Sequence, residues 1–226
     1  MSQLTVTEAI NTRKSVRAFQ DRPVDQALLR DMLTLAGKTA SGSNLQPWKL
    51  HVLTGEVKAS LTAKVSERMM NSPAGEEADI PIYPEKLADP WRSRRFECGE
   101  TMYRTLGIGR EDKLERLGQV VRNFEFFGAP VGLIFTMDRS LCETQLIDIG
   151  LIAENIQLLA KEQGLDTCAQ ASWTMWPKTI REVLGLPENE MVVLGMSLGY
   201  ADEQAKVNET VQSRVALDDF VAWHGF

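Results

Sequence analysis

The sequence predicts an α+β fold, built as one interleaved unit spanning residues 1–226. Three observations lead there. Short apolar runs at residues 50–53, 129–136, 165–168 and 191–198 have the length of strands. Segments with helical periodicity separate them. No stretch of linker-like composition divides the strands into sets, so one core serves the whole chain. Hydrophobic residues make up 43% of the chain, enough to build such a core.

The elements follow in order. Thr5 and Glu8 have the spacing of a capping box, which opens a first helix ending near Thr12. Asp25 is the natural N-cap of a second helix, with Leu28, Leu29, Met32, Leu33 and Ala36 as its apolar stripe and Gly37 as its stop. Residues 39–47 form a loop of small polar residues whose backbone can approach another chain or a ligand closely. Residues 50–53 read as a strand and 56–70 as a helix. Pro73, Pro81, Pro84 and Pro90 make residues 71–90 a mobile or irregular excursion, and helical character returns at 91–106 and 111–127.

The run 129–136 reads as a strand buried on both faces. Residues 141–163 form the longest helix, with Leu146, Ile149, Ile152, Ala153, Ile156, Leu159 and Ala160 spread over a wide apolar surface. So broad a stripe belongs to a central helix or a subunit interface. Strand character follows at 165–168, Pro177 opens a short helix at its favoured first position, and 191–198 form a last strand. Phe220, Trp223 and Phe226 mark the tail as a docked terminus.

Composition excludes several function classes. A net charge of −6 argues against a broad nucleic-acid footprint. No apolar run reaches membrane-spanning length, and the N-terminus lacks a signal-peptide core. Cys98, Cys142 and Cys168 are odd in number and widely spaced, so free thiols in a reducing, cytoplasmic setting are expected. His51 and His224 stand far apart and away from any cysteine, which disfavours zinc.

Arg13, Lys14, Ser15 and Arg17 place three cations and a hydroxyl within five residues of an acidic chain. This reads either as a focused anion site or as a solvated basic helix end favoured by the helix dipole. Arg214, in a tail otherwise poor in basic residues, and the donors of the loop Ser41, Gly42, Ser43 and Asn44 strengthen the first reading. Gln119 and Asn123 lie four apart on one helix face, either as solvated amides or as ligand contacts. Trp48, Phe124, Trp173 and Trp176 read as core aromatics or as pocket walls.

At this level of detail the chain resembles the FMN-dependent nitroreductase family over nearly its whole length. RKSVRAF at 13–19 looks like that family's Arg-Arg-Ser-x-Arg-x-Phe signature, and SGSNLQPWKLHVL resembles its Ser-rich loop before Gln-Pro-Trp. RNFEFFGAPVGLIF, GLDTCAQASW, LGLPENEMVVLGMSLGYAD and SRVALDDFVAWHGF follow in the same order. Several collinear motifs are far more specific than any one of them. The segment around 75–118 is most similar to the nitrobenzoate-reductase branch.

The resemblance implies a central mixed β-sheet flanked by helices, in an intertwined homodimer whose C-terminal tail reaches the partner. It implies that Arg13, Ser15 and Arg214 hold the FMN phosphate, with Lys14 contributing through its backbone as much as its side chain. Arg17 would sit at the pyrimidine edge of the flavin, where a fixed cation favours electron gain. Ser41, Gly42, Ser43 and Asn44 would come from the other subunit. The backbone of Ala169, Gln170, Ala171 and Ser172 would reach the reactive edge; some family members carry Glu at the position of Ala171. Gln119 and Asn123 would bind the ring edge.

Trp48, Tyr83, Trp91, Phe124 and Trp173 would line a pocket for a small aromatic substrate, under a variable lid at about 71–118. The implied activity is ping-pong reduction of nitroaromatics to hydroxylamines or amines by NADPH or NADH, with the flavin rather than a side chain carrying the chemistry. Quinone or flavin reductases and reductive dehalogenases share the scaffold, and a non-catalytic flavin-binding protein is the alternative of another class. No Gly-x-Gly-x-x-Gly fingerprint is present, as expected if nicotinamide only visits the flavin.

Overall fold

Residues 4–225 are described in a computed structural model; Phe226, the last of the tail aromatics, lies outside them. Seven helices and four strands follow in the order α1 (Val6–Thr12), α2 (Gln26–Ala36), β1 (Lys49–Leu53), α3 (Gly55–Asn71), α4 (Trp91–Leu106), α5 (Lys113–Val121), β2 (Val131–Asp138), α6 (Gln145–Glu162), β3 (Asp166–Gln170), α7 (Pro177–Leu184) and β4 (Glu190–Gly199). Local chemistry sets the helix starts. Thr5 Oγ1 accepts from the Glu8 backbone N–H at 3.2 Å while the Thr5 N–H donates back to the Glu8 carboxylate at 2.7 Å. Asp25 caps α2 through Leu28 N–H at 3.0 Å, and Pro177 opens α7 where its missing N–H costs nothing.

The strands form one sheet in the order β1-β2-β4-β3. Every strand pair is antiparallel, which corrects the expected mixed sheet; among the described residues, parallel pairing is confined to one bridge, Ser15 to Thr167. The reason is topological. The α3–α5 excursion and α7 each return to the end of the sheet they left, so the strands they join run in opposite directions. Helix α6 crosses the face, which leaves β2 and β3 pointing the same way but with β4 between them.

Strand periodicity divides the core in two. Val131, Leu133, Phe135 and Met137 of β2 face α2 and α6, where they meet Leu29, Met32, Ile149, Ile152, Ile156 and Ala160. Ile134 points to the opposite face, with Leu61 and Val65 of α3, Ile180 of α7 and an aromatic group of Phe124, Phe126, Trp173 and Trp176. Each fully buried Leu or Ile contributes roughly 1.5–3 kcal/mol. The broad stripe of α6 is thus partly spent on the core, while Ile147, Gly150 and Leu151 remain exposed.

One buried acid sits on the sheet. Glu190 accepts from Thr136 Oγ1 at 2.9 Å and from Lys49 Nζ at 2.5 Å, with His51 Nε2 at 3.2 Å. Burial pushes its carboxyl up, but Lys49 and Thr136 outweigh that and hold it below the usual range. His51 is thereby a structural residue. No cluster of His, Cys, Asp and Glu among the described residues is arranged to hold a metal, and no helix there is long and apolar enough to cross a membrane.

Candidate functional site

Past α1 the chain leaves helical geometry at Arg13 and runs beside β3, where Val16 N–H donates to Thr167 O at 3.0 Å. Extended backbone alternates its side chains. Val16 and Ala18 are buried, which turns Arg13, Ser15 and Arg17 the other way, into a cleft of about 480 Å³. Lys14 lines the cleft as well, and its ammonium is tied to Asn208 O. From the far end of the chain come Thr210, Gln212 and Arg214. The structure therefore brings together the four sequence-predicted cations.

Their electrostatics are unbalanced. Arg13 pairs with Glu154 of α6 at 3.3 Å and reaches Gln157 at 3.4 Å. No carboxylate pairs with Lys14, Arg17 or Arg214 among the described residues; the Arg17 guanidinium bonds Ser15 O, and that of Arg214 bonds Gln212 O and Ser213 O. Thr210 Oγ1, in the cleft wall, is buried without a hydrogen-bond partner. An orphan hydroxyl near the uncompensated Lys14 and Arg214 cations fits the phosphate of FMN, whose oxygens are acceptors. Beneath the cleft Cys168 is buried; burial pushes its thiol up against the opposing pull of Arg17, Ser15 and Arg13.

Asn208 is a strut that sequence reading missed. It is buried, accepts from Arg17 N–H at 2.8 Å and donates to Ala18 O at 2.8 Å and Asp202 O at 2.9 Å. Asn208→Ala would strand these groups and is expected to cost about 3 kcal/mol. A thermal melt should show a drop of roughly 6–12 °C for a chain of this size. An unchanged melting temperature would remove Asn208 as the strut.

A second cleft, of about 350 Å³, shares Arg17 with the first and is lined by Tyr83, Arg95, Cys98, Met102, Gln119, Val120, Asn123 and Phe127. Gln212 Nε2 joins the two by donating to Cys98 O at 3.0 Å. Gln119 and Asn123 therefore line the same cleft as Arg17. Asn123 is in turn held from β3: its carbonyl accepts from Gln170 Nε2 at 2.6 Å and its side-chain oxygen from Ser172 Oγ at 3.3 Å. Gln170 also accepts from Ser197 Oγ at 2.7 Å and is buried, so its side chain is a strut. Ala169 and Ala171 are exposed on either side of it.

Four of the five residues that the resemblance assigns to the substrate pocket stand elsewhere. Phe124 and Trp173 are core residues, not pocket walls: Phe124 meets Trp173 edge-on at 5.6 Å and Trp173 stacks on Phe126 at 4.3 Å. Glycines at 132 and 195 open the space that draws these rings inward. Trp48 packs against the α2–α6 core, and Trp91 stands exposed at the start of α4; neither lines the second cleft. Tyr83 does line it, with the Arg95 guanidinium 4.0 Å over its ring.

The loop Ser41, Gly42, Ser43 and Asn44 does not join this chain's own clefts. Asp148, in the first turn of α6, accepts from Gly42 N–H at 3.2 Å, whereas Arg13 meets α6 at Glu154 and Gln157. Six to nine residues of helix, roughly 9–14 Å, separate the two. Ser43 and Asn44 have left-handed backbones, with φ of 49° and 58°, strain of the kind stored where a loop presents its backbone. A larger groove, about 650 Å³, follows the unpaired edge of β1 past Val52 and Lys58. It contains none of the residues expected to hold a ligand.

The model of the nitroreductase family matches residues 10–200. A chloronitrobenzene nitroreductase of Comamonas testosteroni is 40% identical over 218 residues, 96% of each chain. A 4-nitrobenzoate reductase of Pseudomonas putida is 38% identical over 220 residues, 96% of this chain and 94% of that one. The crystal structure of an FMN and NADPH-dependent nitroreductase, NfnB from Sphigopyxis sp. strain HMH, superposes with a TM-score of 0.96 at 42% identity, covering 99% of this chain and 100% of that chain. With matches of this extent and fold, the chain belongs to the nitroreductase family.

Proposed function

We propose that this protein is an FMN-dependent nitroreductase that uses NADPH or NADH to reduce nitroaromatic compounds to hydroxylamines or amines. The observation that carries the reading is the pair of clefts joined at Arg17, one rich in unpaired cations around the orphan Thr210 hydroxyl, the other lined by amides and an aromatic ring. When bound, the flavin supplies hydride transfer between a nicotinamide donor and a nitro acceptor that visit it in turn. The chain's own groups bind and polarise. Arg13, Ser15 and Arg214, with Lys14 beside them, take the phosphate. Arg17, carrying a fixed charge at the junction, favours electron gain on the ring edge. Gln119 and Asn123 orient that edge, and the exposed backbone around Ala169, Gln170, Ala171 and Ser172 offers donors to it. The segment 71–118, which supplies Tyr83 to the second cleft, acts as the substrate-setting lid of a single 1–226 domain.

A homodimer completes this reading. Ile147, Gly150 and Leu151 form an exposed stripe on α6, beside the strained loop 41–44 that Asp148 holds. Across a two-fold axis that loop covers the partner's flavin, and the tail bearing Phe220 and Trp223 reaches across. Three free cysteines fit a cytoplasmic setting.

Purified protein is expected to be yellow and dimeric, and to oxidise NADPH when a nitroaromatic is added. A colourless monomer that takes up no added FMN would sink the proposal. Arg214→Ala should weaken FMN retention roughly ten- to hundredfold, the worth of a charge-assisted hydrogen bond, without shifting the far-ultraviolet spectrum. Unchanged retention would remove the phosphate assignment.

A further inference from the structure

The second cleft carries a charge that the proposed chemistry does not use. Of its lining residues, Arg17 and Arg95 are cationic and none is acidic, in a chain whose net charge is −6. The acids nearest in sequence are already engaged. Glu97 bonds Arg104, and Glu100 bonds Arg116 at 2.6 Å and Arg110 at 3.2 Å. Burial raises the Glu100 carboxyl, but the hydrogen bond from Arg116, the larger effect, holds it below its usual range, so it stays charged and committed at neutral pH. Arg95 pairs with no carboxylate among the described residues; its guanidinium carbon stands 4.0 Å over the Tyr83 ring. That cation–π contact positions the guanidinium, and its N–H donors are left to meet an anion.

Arg17 stands where the two clefts meet, so it belongs to the flavin side, whereas Arg95 belongs to α4 on the outer wall. An acceptor lying in this cleft meets the Arg95 fork with whatever group it carries at its outer end. We propose that Arg95, positioned by Tyr83, makes the enzyme select nitroaromatic acids, with the substrate carboxylate held by the Arg95 guanidinium. The proposal rests on the nitroaromatic reading of the site and assigns its preference. A carboxylate is the matched partner of a planar guanidinium, which takes it through two parallel hydrogen bonds. Neutral nitroarenes of the same shape gain the stacking and none of the ion pair.

The test uses the FMN-loaded dimer. Dissociation constants of benzoate and benzamide, which carry no nitro group, report the anion contact without turnover. Steady-state kcat/KM for 4-nitrobenzoate against 4-nitrobenzamide reports it during turnover. Wild type should favour the acid in both, by roughly ten- to hundredfold. Arg95→Gln should abolish the preference for the acid over the amide while leaving the bound flavin spectrum unchanged; Arg95→Lys should restore part of it.

Equal binding of benzoate and benzamide by wild type overturns the proposal. So does an Arg95→Gln variant that keeps the acid preference but raises the KM for NADPH, which would assign the guanidinium to the donor's phosphate. Reduction of neither nitro compound would remove the nitroaromatic reading, and the benzoate measurement would still decide the anion contact.

Discussion

Gly195→Ala is expected to yield little or no folded protein. Gly195 lies in β4, paired with Ile134 of β2 on one side and Gln170 of β3 on the other. A methyl group built there would stand 2.0 Å from Trp173 Cδ1 and 2.6 Å from Cγ. The strand cannot retreat without opening hydrogen-bond ladders on both sides. Nor can the ring, which is fully buried, stacked on Phe126 at an interplanar angle of 26° and bounded edge-on by Phe124. Ordinary overpacking costs about 1–3 kcal/mol because neighbours shift. Here neither neighbour can, so a cost above about 4 kcal/mol is expected, a large part of the 5–15 kcal/mol that holds a typical domain together. The check is a pair of thermal melts. Gly195→Ala with Trp173→Leu should be more stable than Gly195→Ala alone, because the smaller side chain frees the space the methyl needs. A wild-type melt for the single variant would refute the packing argument.

The same packing explains what could not be read in the chain. Trp173 and Phe124 are aromatic residues in a motif-bearing stretch, and an aromatic suits a core and a pocket equally. The deciding partner of Trp173, Gly195, is distant in sequence and meets it only when β4 takes its place in the sheet. Phe126 and Phe127 adopt left-handed backbones, φ 50° and 53°, that bulky residues seldom take and that no local signal announces. Helix starts were legible because they are settled within four residues: the Thr5–Glu8 box, the Asp25 cap and Pro177 at the first position all stand as the local chemistry requires. Strand direction was not, because it depends on where each excursion returns.

The site divides in the same way. Arg13, Lys14, Ser15 and Arg17 were legible as three cations and a hydroxyl within five residues, and Arg214 as a basic residue in a tail otherwise poor in them. Asn208 and Thr210 carried no signal of their own, since an Asn and a Thr in a polar stretch read as surface. Their burial follows from the bridge that lays residues 15–19 against β3 and the end of β4. Arg95 was hidden among the arginines of α4, and only its stacking on Tyr83 and the prior engagement of Glu97 and Glu100 set it apart.

Asp79→Asn is expected to be the most damaging charge removal outside the clefts, and it bears on how the Pro-rich excursion is held. Residues 72–90 are irregular, as the prolines predict, yet two acids fasten them to the body. Glu76 accepts from the backbone N–H groups of Lys178 and Thr179 at the start of α7 and pairs with Arg68 of α3 at 3.0 Å. Asp79, 5% exposed, pairs with Arg181 at 2.7 Å and with Arg139, and accepts from Val192 N–H at 2.9 Å. Burial pushes the Asp79 carboxyl up; Arg181, Val192 and Arg139 together outweigh it and hold the group below its ordinary value. Removing the charge leaves the Arg181 guanidinium, 10% exposed, without its anion, and breaking such a pair costs about 3–5 kcal/mol.

The pH dependence has a definite sign. A carboxyl depressed in the folded state binds its proton more readily when unfolded, so its contribution is complete above the unfolded value near 3.9 and disappears as pH falls through the lower folded value. Glu190 is depressed too, so both forms of the protein lose stability in acid. The difference between wild type and Asp79→Asn isolates Asp79: it should be constant from about pH 7 to 5 and shrink below about pH 4. Urea melts at pH 7 and pH 3.5 measure it. A difference that is absent at pH 7, or that grows in acid, would show that the excursion is held by its packing alone. Retention of the predicted sign would mean that the segment delivering Tyr83 to the second cleft is fixed at its base by charge, which leaves adjustment to the residues beyond Asp79.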